Sequence, residues 1–350
     1  MKIKNKIVLI VPDLKGNGAE RVVLTLATGF NQQGCDVHII VFNKFIELES
    51  DKTFKIHEFK KHYRWVPKSI RGLILAPILD KFIIKNCGTP DLVLSNLLPV
   101  DRILSRSKLN TYAIIHSTMS KEIASFSRKK GEMDKIYTKM PCICVSKGVL
   151  ADFTNIFNTD FDIHYIYSPV DIEFIMRKSI EFIPKYNNYL IHVGKFNNAK
   201  RHDILIKAYH HSKIETPLVL VGQGPLQKEC EKLVNDLGLN KKVIFAGFKS
   251  NPYPLIKNAK LMVFSSEYEG LGLVVLESLV LNTPVISTDC ESGPREILPK
   301  NNLVTVNSIE ELANKISDAV KNPVKYSAKV SRNFYLEEAT SHYLNLISKK

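Results

Sequence analysis

Residues Phe264 to Leu298 read FSSEYEGLGLVVLESLVLNTPVISTDCESGPREIL and place two carboxylates, Glu269 and Glu277, around a glycine-rich helix start. The apolar run LMVF (Leu261 to Phe264) predicts a short buried strand, SSEYEG the loop that leaves it, and LGLVVLESLVL a helix. Asn282-Thr283-Pro284 ends that helix before the next strand, PVIST. A strand, a glycine-rich loop and a helix N-terminus, in that order, offer backbone N–H groups and the positive end of a helix dipole to a phosphate. Glu269 falls at the mouth of the turn, and Glu277 about two turns further in, on nearly the same face at roughly 100° per residue. Two acids at that offset can hold two parts of one ligand. The plainer alternative makes Glu269 a helix cap and Glu277 a solvated surface acid.

On either side of this unit the chain repeats strand and helix. In the first half, buried-strand runs stand at KIVLIV, VHIIVF, DLVLSN, TYAIIH, CICVS and IHYIY; in the second, at YLIHVG, LVLVG, VIFAGF, LMVFSS, PVIST and LVTV. Twice-repeated βα units predict an α/β protein of two doubly wound, Rossmann-like parallel-sheet domains facing across a cleft, with ligands beyond the carboxyl ends of the strands. The expected boundaries are 1–168 for the first domain, 169–186 for a polar linker and 187–326 for the second. The segment 327–350 has helical spacing of its apolar residues.

Composition is that of a globular chain: 350 residues, 45% hydrophobic and 24% charged, allow two domains with a core each. The opening apolar run, Ile7 to Val11, is too short for a secretory or membrane-spanning segment. Six cysteines follow no disulfide framework, which predicts a reducing, cytoplasmic setting. Cys142-x-Cys144 reads as an apolar strand rather than half a metal site, and Asp160-Phe161-Asp162 as a solvated loop at the amino end of a strand.

EGLGLVVLE, TPVIST and SGPREIL together resemble the C-terminal signature of the family 4 glycosyltransferases, retaining sugar transferases of the GT-B fold. VLIVPDLKGNGAERVVLTLATGFNQQGCDVHIIV resembles that family's opening strand, loop and helix, IYSPVD its hinge, HVGKFNNAKRHDILIKAY its donor-phosphate segment, and LVLVGQGPLQKECEKLVNDLGLNKKVIFAGF the unit that follows. Only Lys44 to Asn86 lacks a clear counterpart. The resemblance implies that the C-terminal helix returns to the N-terminal domain. It implies a donor diphosphate held by Lys195, Lys200 and the helix start at Gly270, Leu271, Gly272 and Leu273, with Gly16 and Gly18 approaching from the first domain. The family usually has Arg where Lys195 stands and consecutive glycines where Asn17 stands. Glu269 and His116, which ends the strand TYAIIH, would be the catalytic pair that holds the sugar, and Glu277 would accept hydrogen bonds from the ribose. Neither a cofactor nor a metal is expected, because lysines and a helix dipole already face the phosphates.

The formal charge is +14. Residues 1–170 hold 25 Lys and Arg against 16 Asp and Glu, and residues 171–350 hold 24 against 19. Basic residues gather in Lys55 to Asn86, with Lys60, Lys61, Arg64, Lys68 and Arg71 around Trp65 and the apolar stretch Leu73 to Ile84. This segment reads either as a surface helix lying on an anionic bilayer or as a helix with a solvated basic face. No nucleic-acid-binding signature accompanies it, and no nucleic-acid partner is expected. The expected function is transfer of a hexose or N-acetylhexosamine from a nucleotide sugar, UDP-linked, to a lipopolysaccharide, capsule or lipid-linked glycan. The expected setting is cytoplasmic, peripheral at the inner face of the membrane. A nucleotide-sugar epimerase of the same fold, or a basic nucleic-acid-binding protein with an inactive transferase fold, are the alternatives.

Overall fold

The computed structural model describes residues 4–16, 18–45, 55–60, 65–125 and 130–347. It divides into two compact units, one formed by Met1–Val170 with Arg332–Lys350 and the other by Asp171–Ser331.

In the first unit the described strands are β1 (Lys6–Val11), β2 (Asp36–Val41), β3 (Lys55–Glu58), β4 (Leu92–Asn96), β5 (Thr111–Ile115), β6 (Cys142–Cys144) and β7 (His164–Tyr165). They form a parallel sheet in the order β3-β2-β1-β4-β5-β6-β7. Ile7 to Val11 are fully buried, as a strand covered on both faces by helices requires. The order reverses between β1 and β4, so the crevice at their carboxyl ends is the place where such a sheet takes a ligand.

In the second unit the strands are β8 (Leu190–Val193), β9 (Leu218–Val221), β10 (Val243–Gly247), β11 (Leu261–Phe264), β12 (Val285–Thr288) and β13 (Leu303–Val304). They run parallel in the order β10-β9-β8-β11-β12-β13, with the reversal between β8 and β11. A core of Leu190, Leu205, Leu218, Leu220, Leu261, Val263 and Ile286 fills the space between this sheet and its helices.

Three expectations are corrected. Lys55–Glu58 is an edge strand paired with β2, and the helix of that region is confined to Arg71–Cys87. KIHE has too few apolar residues to announce a strand. Residues 169–186 are not a plain linker: Asp171 caps a helix, Ile172–Lys178, by accepting from the Phe174 N–H at 2.9 Å, and Asn251 Nδ2 donates to the Lys178 carbonyl within the second unit. The C-terminal helix covers only Leu336–Asn345. It packs on Gly18–Gln32, where a Cβ on Gly29 would lie 2.6 Å from Leu336 Cδ1, so glycine permits the close approach.

Candidate functional site

Because β8 and β11 are adjacent and parallel, the loops leaving them emerge side by side. The backbone stitches them together: Glu267 N–H donates to the Ala199 carbonyl at 2.8 Å, and Ser265 Oγ donates to the Lys200 carbonyl at 2.8 Å. The turn Asn198–Lys200 is capped by the Asn197 side chain. This arrangement brings Lys200 Nζ to within 2.5 Å of Glu269 Oε1, a partly buried ion pair, with the ammonium 4.9 Å from the Phe264 ring centroid. Lys195 leaves the same strand and is exposed.

The helix after β11 is Leu273–Val280, shorter than the sequence suggests. Gly272, at φ 83°, is its N-cap in the left-handed region that favours glycine. Glu269 therefore lies in the loop before the helix, Glu277 lies little more than one turn into it, and the shared-face reading fails for want of a common helix. Gly270 and Leu271 are buried beside them, and Leu273 opens the helix. Glu277 is 8% exposed and accepts a hydrogen bond from Tyr253 Oη at 3.1 Å, so it is not a solvated surface acid. The loop after β12 fixes the same turn. Ser292 Oγ donates to the Glu269 carbonyl at 2.5 Å, and a Cβ on Gly293, at φ 79°, would meet the Leu271 carbonyl oxygen at 2.4 Å.

Other parts of this edge carry no signal in an isolated sequence. Arg201, at φ 46°, joins Asp203 and Glu267 at 2.9 and 3.1 Å and braces the turn that holds Lys200. Arg201 follows Lys200 directly and Tyr253 sits in a plain NPYPLIK run, so only the contacts reveal them.

The first unit has its own polar crevice at the carboxyl ends of β4 and β5. His116 Nε2 is 2.8 Å from Asn96 Oδ1, and Asn96 Nδ2 donates to the Ile10 carbonyl of β1 at 3.2 Å. Burial lowers the His116 pKa to about 4, so the ring is neutral at pH 7 and acts through hydrogen bonds, not charge. A cavity of about 230 Å³ is lined by Leu97, Asp101, His116, Ser117, Glu122 and Tyr137. Leu97 takes φ 72°, a strained conformation for a residue with a Cβ, directly after Asn96. Asp101 accepts from Ser95 Oγ at 2.6 Å and Tyr137 Oη at 3.0 Å, and burial still pushes its pKa up to about 6. Gly16, at φ 102°, leaves β1 and Gly18 opens the helix Gly18–Gln32; Asn17 lies outside the described residues.

Cys142 and Cys144 are buried in β6, and Asp160, Phe161 and Asp162 are exposed in the loop before β7.

Two family models divide the chain between them: Glycosyltransferase Family 4 matches residues 16–174, and Glycosyl transferases group 1 matches residues 174–336. The chain belongs to glycosyltransferase family 4. This family 4 chain is a retaining glycosyltransferase that uses a nucleotide-sugar donor. It is 29% identical over 309 residues, 83% of each chain, to the N-acetylgalactosamine-N,N'-diacetylbacillosaminyl-diphospho-undecaprenol 4-alpha-N-acetylgalactosaminyltransferase of Campylobacter jejuni. It is 28% identical over 177 residues to the lipopolysaccharide 1,6-galactosyltransferase of Salmonella typhimurium, covering 47% of this chain and 48% of that one. Among solved structures, the transferase resembles Anabaena HepE in complex with UDP and glucose, with a TM-score of 0.77 at 17% identity over 99% of this chain and 100% of that one. Sucrose-phosphate synthase from Thermosynechococcus elongatus gives the same TM-score of 0.77 at 18% identity, over 99% of both chains. These likenesses establish the GT-B fold.

Proposed function

We propose that the transferase moves an N-acetylhexosamine or hexose from a UDP-sugar to a lipid-linked or lipopolysaccharide saccharide. The observation that carries this reading is the convergence of Lys200, Glu269 and the Gly270–Leu273 turn at the β8/β11 reversal, with buried Glu277 behind them. Lys200, joined by Lys195, takes the diphosphate, and the backbone N–H groups of the helix start share its charge. Glu277, held by Tyr253, accepts from the ribose hydroxyls. On donor binding the diphosphate competes with Glu269 for Lys200, which frees that carboxylate for a sugar hydroxyl. In the first unit His116, neutral and oriented by Asn96, offers a hydrogen bond to a saccharide hydroxyl. As the anomeric carbon gains positive charge, the lysine stabilises the departing diphosphate. The Campylobacter relative, whose name specifies an undecaprenol-linked acceptor and N-acetylgalactosamine, supports a lipid-linked acceptor and an N-acetylhexosamine first.

The helix Arg71–Cys87 supports action at a membrane surface. Its buried side is Leu75, Ala76, Leu79 and Ile83, while Leu73, Ile74 and Ile78 are exposed on the other, near exposed Ile70 and Trp65. Lys68, Lys81 and Lys85 are exposed around them. Arg71, counted from sequence among the surface cations, is instead buried and donates to the Val66 carbonyl at 2.8 Å. Lys61 and Arg64 lie outside the described residues. Exposed apolar side chains with tryptophan and lysines suit the headgroup region of an anionic bilayer. Among the described residues, no helix is long and apolar enough to cross a membrane.

The test is transfer from UDP-N-acetylgalactosamine, UDP-N-acetylglucosamine, UDP-galactose and UDP-glucose to undecaprenyl-diphosphate-linked saccharides, with the product's anomeric configuration read by NMR. An α-linked product from one of these donors is expected. Transfer from GDP- or ADP-sugars alone would overturn the donor assignment.

A further inference from the structure

The amino-terminal edge of the first sheet, away from the strand ends that carry the transfer chemistry, holds a second cluster. His38 lies in β2, His57 in the edge strand β3, and Cys87 ends the helix Arg71–Cys87. One ring nitrogen from each histidine and Cys87 Sγ lie within 4.8 Å of one another. His38 is 2% exposed and Cys87 4%. The two rings stack, with centroids 5.1 Å apart and 19° between their planes, and His38 Nδ1 faces His57 Nε2 at 2.9 Å. His38 Nε2 is buried with no aligned hydrogen-bond partner, although Asp36 Oδ1 lies 3.3 Å away.

We propose that His38, His57 and Cys87 bind one zinc ion that fastens the edge strand β3 to β2 and to the end of the helix Arg71–Cys87. Two imidazoles and a thiolate form a set suited to zinc, whereas magnesium and calcium demand oxygen ligands. At zinc–nitrogen distances of about 2.0 Å and a zinc–sulfur distance of about 2.3 Å, tetrahedral ligands stand about 3.3 Å (N···N) and about 3.5 Å (N···S) apart, so the metal replaces the 2.9 Å hydrogen bond between the rings and draws Cys87 Sγ, within 4.8 Å of both nitrogens, closer. Three protein ligands leave a fourth position for water. Asp36 stands beside the second nitrogen of His38, where a carboxylate orients a ligating imidazole. Lys55 Nζ, 3.8 Å from Asp36 Oδ1, offsets that carboxylate, so ligation falls to the histidines and the thiolate. The placement explains a use for the ion: among the described residues β3 is a four-residue edge strand whose one partner strand is β2, and a clamp to the helix end secures it.

The test uses the full chain stripped of metal with a chelator and titrated with cobalt(II), then with zinc(II). One equivalent of cobalt should bind and give near-ultraviolet thiolate-to-cobalt absorption, and zinc should displace it. Cys87→Ser should abolish that absorption, and His57→Gln should weaken cobalt binding at least tenfold. Zinc should raise the melting temperature of the wild type and not of either variant, while UDP affinity stays unchanged in both. Cobalt uptake by the wild type without thiolate absorption, as surface histidines such as His210 and His211 would give, overturns the proposal whether or not the variants fold. Absorption that survives Cys87→Ser overturns it as well.

Discussion

Lys200 and Glu269 neutralise each other at 2.5 Å, and this pairing fixes what each substitution does. Lys200→Ala should weaken UDP binding by about 1.5–3 kcal/mol, the worth of a charge-assisted contact, and lower turnover with it. Glu269→Gln should leave UDP binding equal or tighter, because it removes a competing anion, and should lower kcat in a transfer assay. A Glu269→Gln enzyme with weakened UDP binding and normal kcat would reverse these roles. Glu277→Ala should weaken UDP and uridine together, and Tyr253→Phe should do so by a smaller factor, both read by competition binding. The histidines give a pH dependence. His116 and His192 are lowered by burial to about 4 and His202 to about 2, all from 6.5. Each folded pKa lies below its unfolded value, so the unfolded chain binds more protons as pH falls. The stability tied to neutral rings is complete above about 6.5 and is lost progressively toward about 4. Asp101, raised to about 6 from 3.8, opposes this over part of the window, but it is one group against three. Urea midpoints should therefore decline from pH 7 to pH 5; a flat or rising midpoint would contradict the burial of neutral histidines.

The helix Arg71–Cys87 divides its apolar residues between a core face and an exposed face, which makes it the element to test for membrane docking. Leu73→Ser with Ile78→Ser should abolish sedimentation with anionic vesicles while leaving UDP affinity intact, because both side chains lie outside the core. Binding of the wild type should rise with anionic lipid and fall with salt; equal binding to neutral vesicles, or none to either, would contradict it. The same helix shows where the sequence stops being readable. Strands such as KIVLIV and LMVF, buried on both faces, announce themselves as continuous apolar runs, and both sheets were legible for that reason. KIHE in β3 was not, since a half-exposed edge strand needs no apolar run. Glu269, Glu277 and Lys200 stood out through the motifs around them. The contacts around them did not: Tyr253 Oη on Glu277, Ser292 Oγ on the Glu269 carbonyl and Arg201 on Glu267 join residues far apart in the chain that only the fold brings together.

At the scale of the whole molecule, both units use a parallel sheet whose order reverses beside its first strand, between β1 and β4 in one and between β8 and β11 in the other. Each reversal places polar groups at the strands' carboxyl ends, Asn96 and His116 in the first unit and Lys200, Glu269 and Glu277 in the second. The formal charge of +14 adds a long-range attraction for anionic donors and lipid surfaces that should weaken with ionic strength. The second unit's reversal point is proposed to bind the nucleotide diphosphate. The most direct measurement is a crystal structure of the protein with UDP. It should show the diphosphate within hydrogen-bonding distance of Lys200 Nζ and the Gly270–Leu273 backbone, with the ribose hydroxyls on Glu277. UDP bound away from Lys200 and Glu277 would contradict the account.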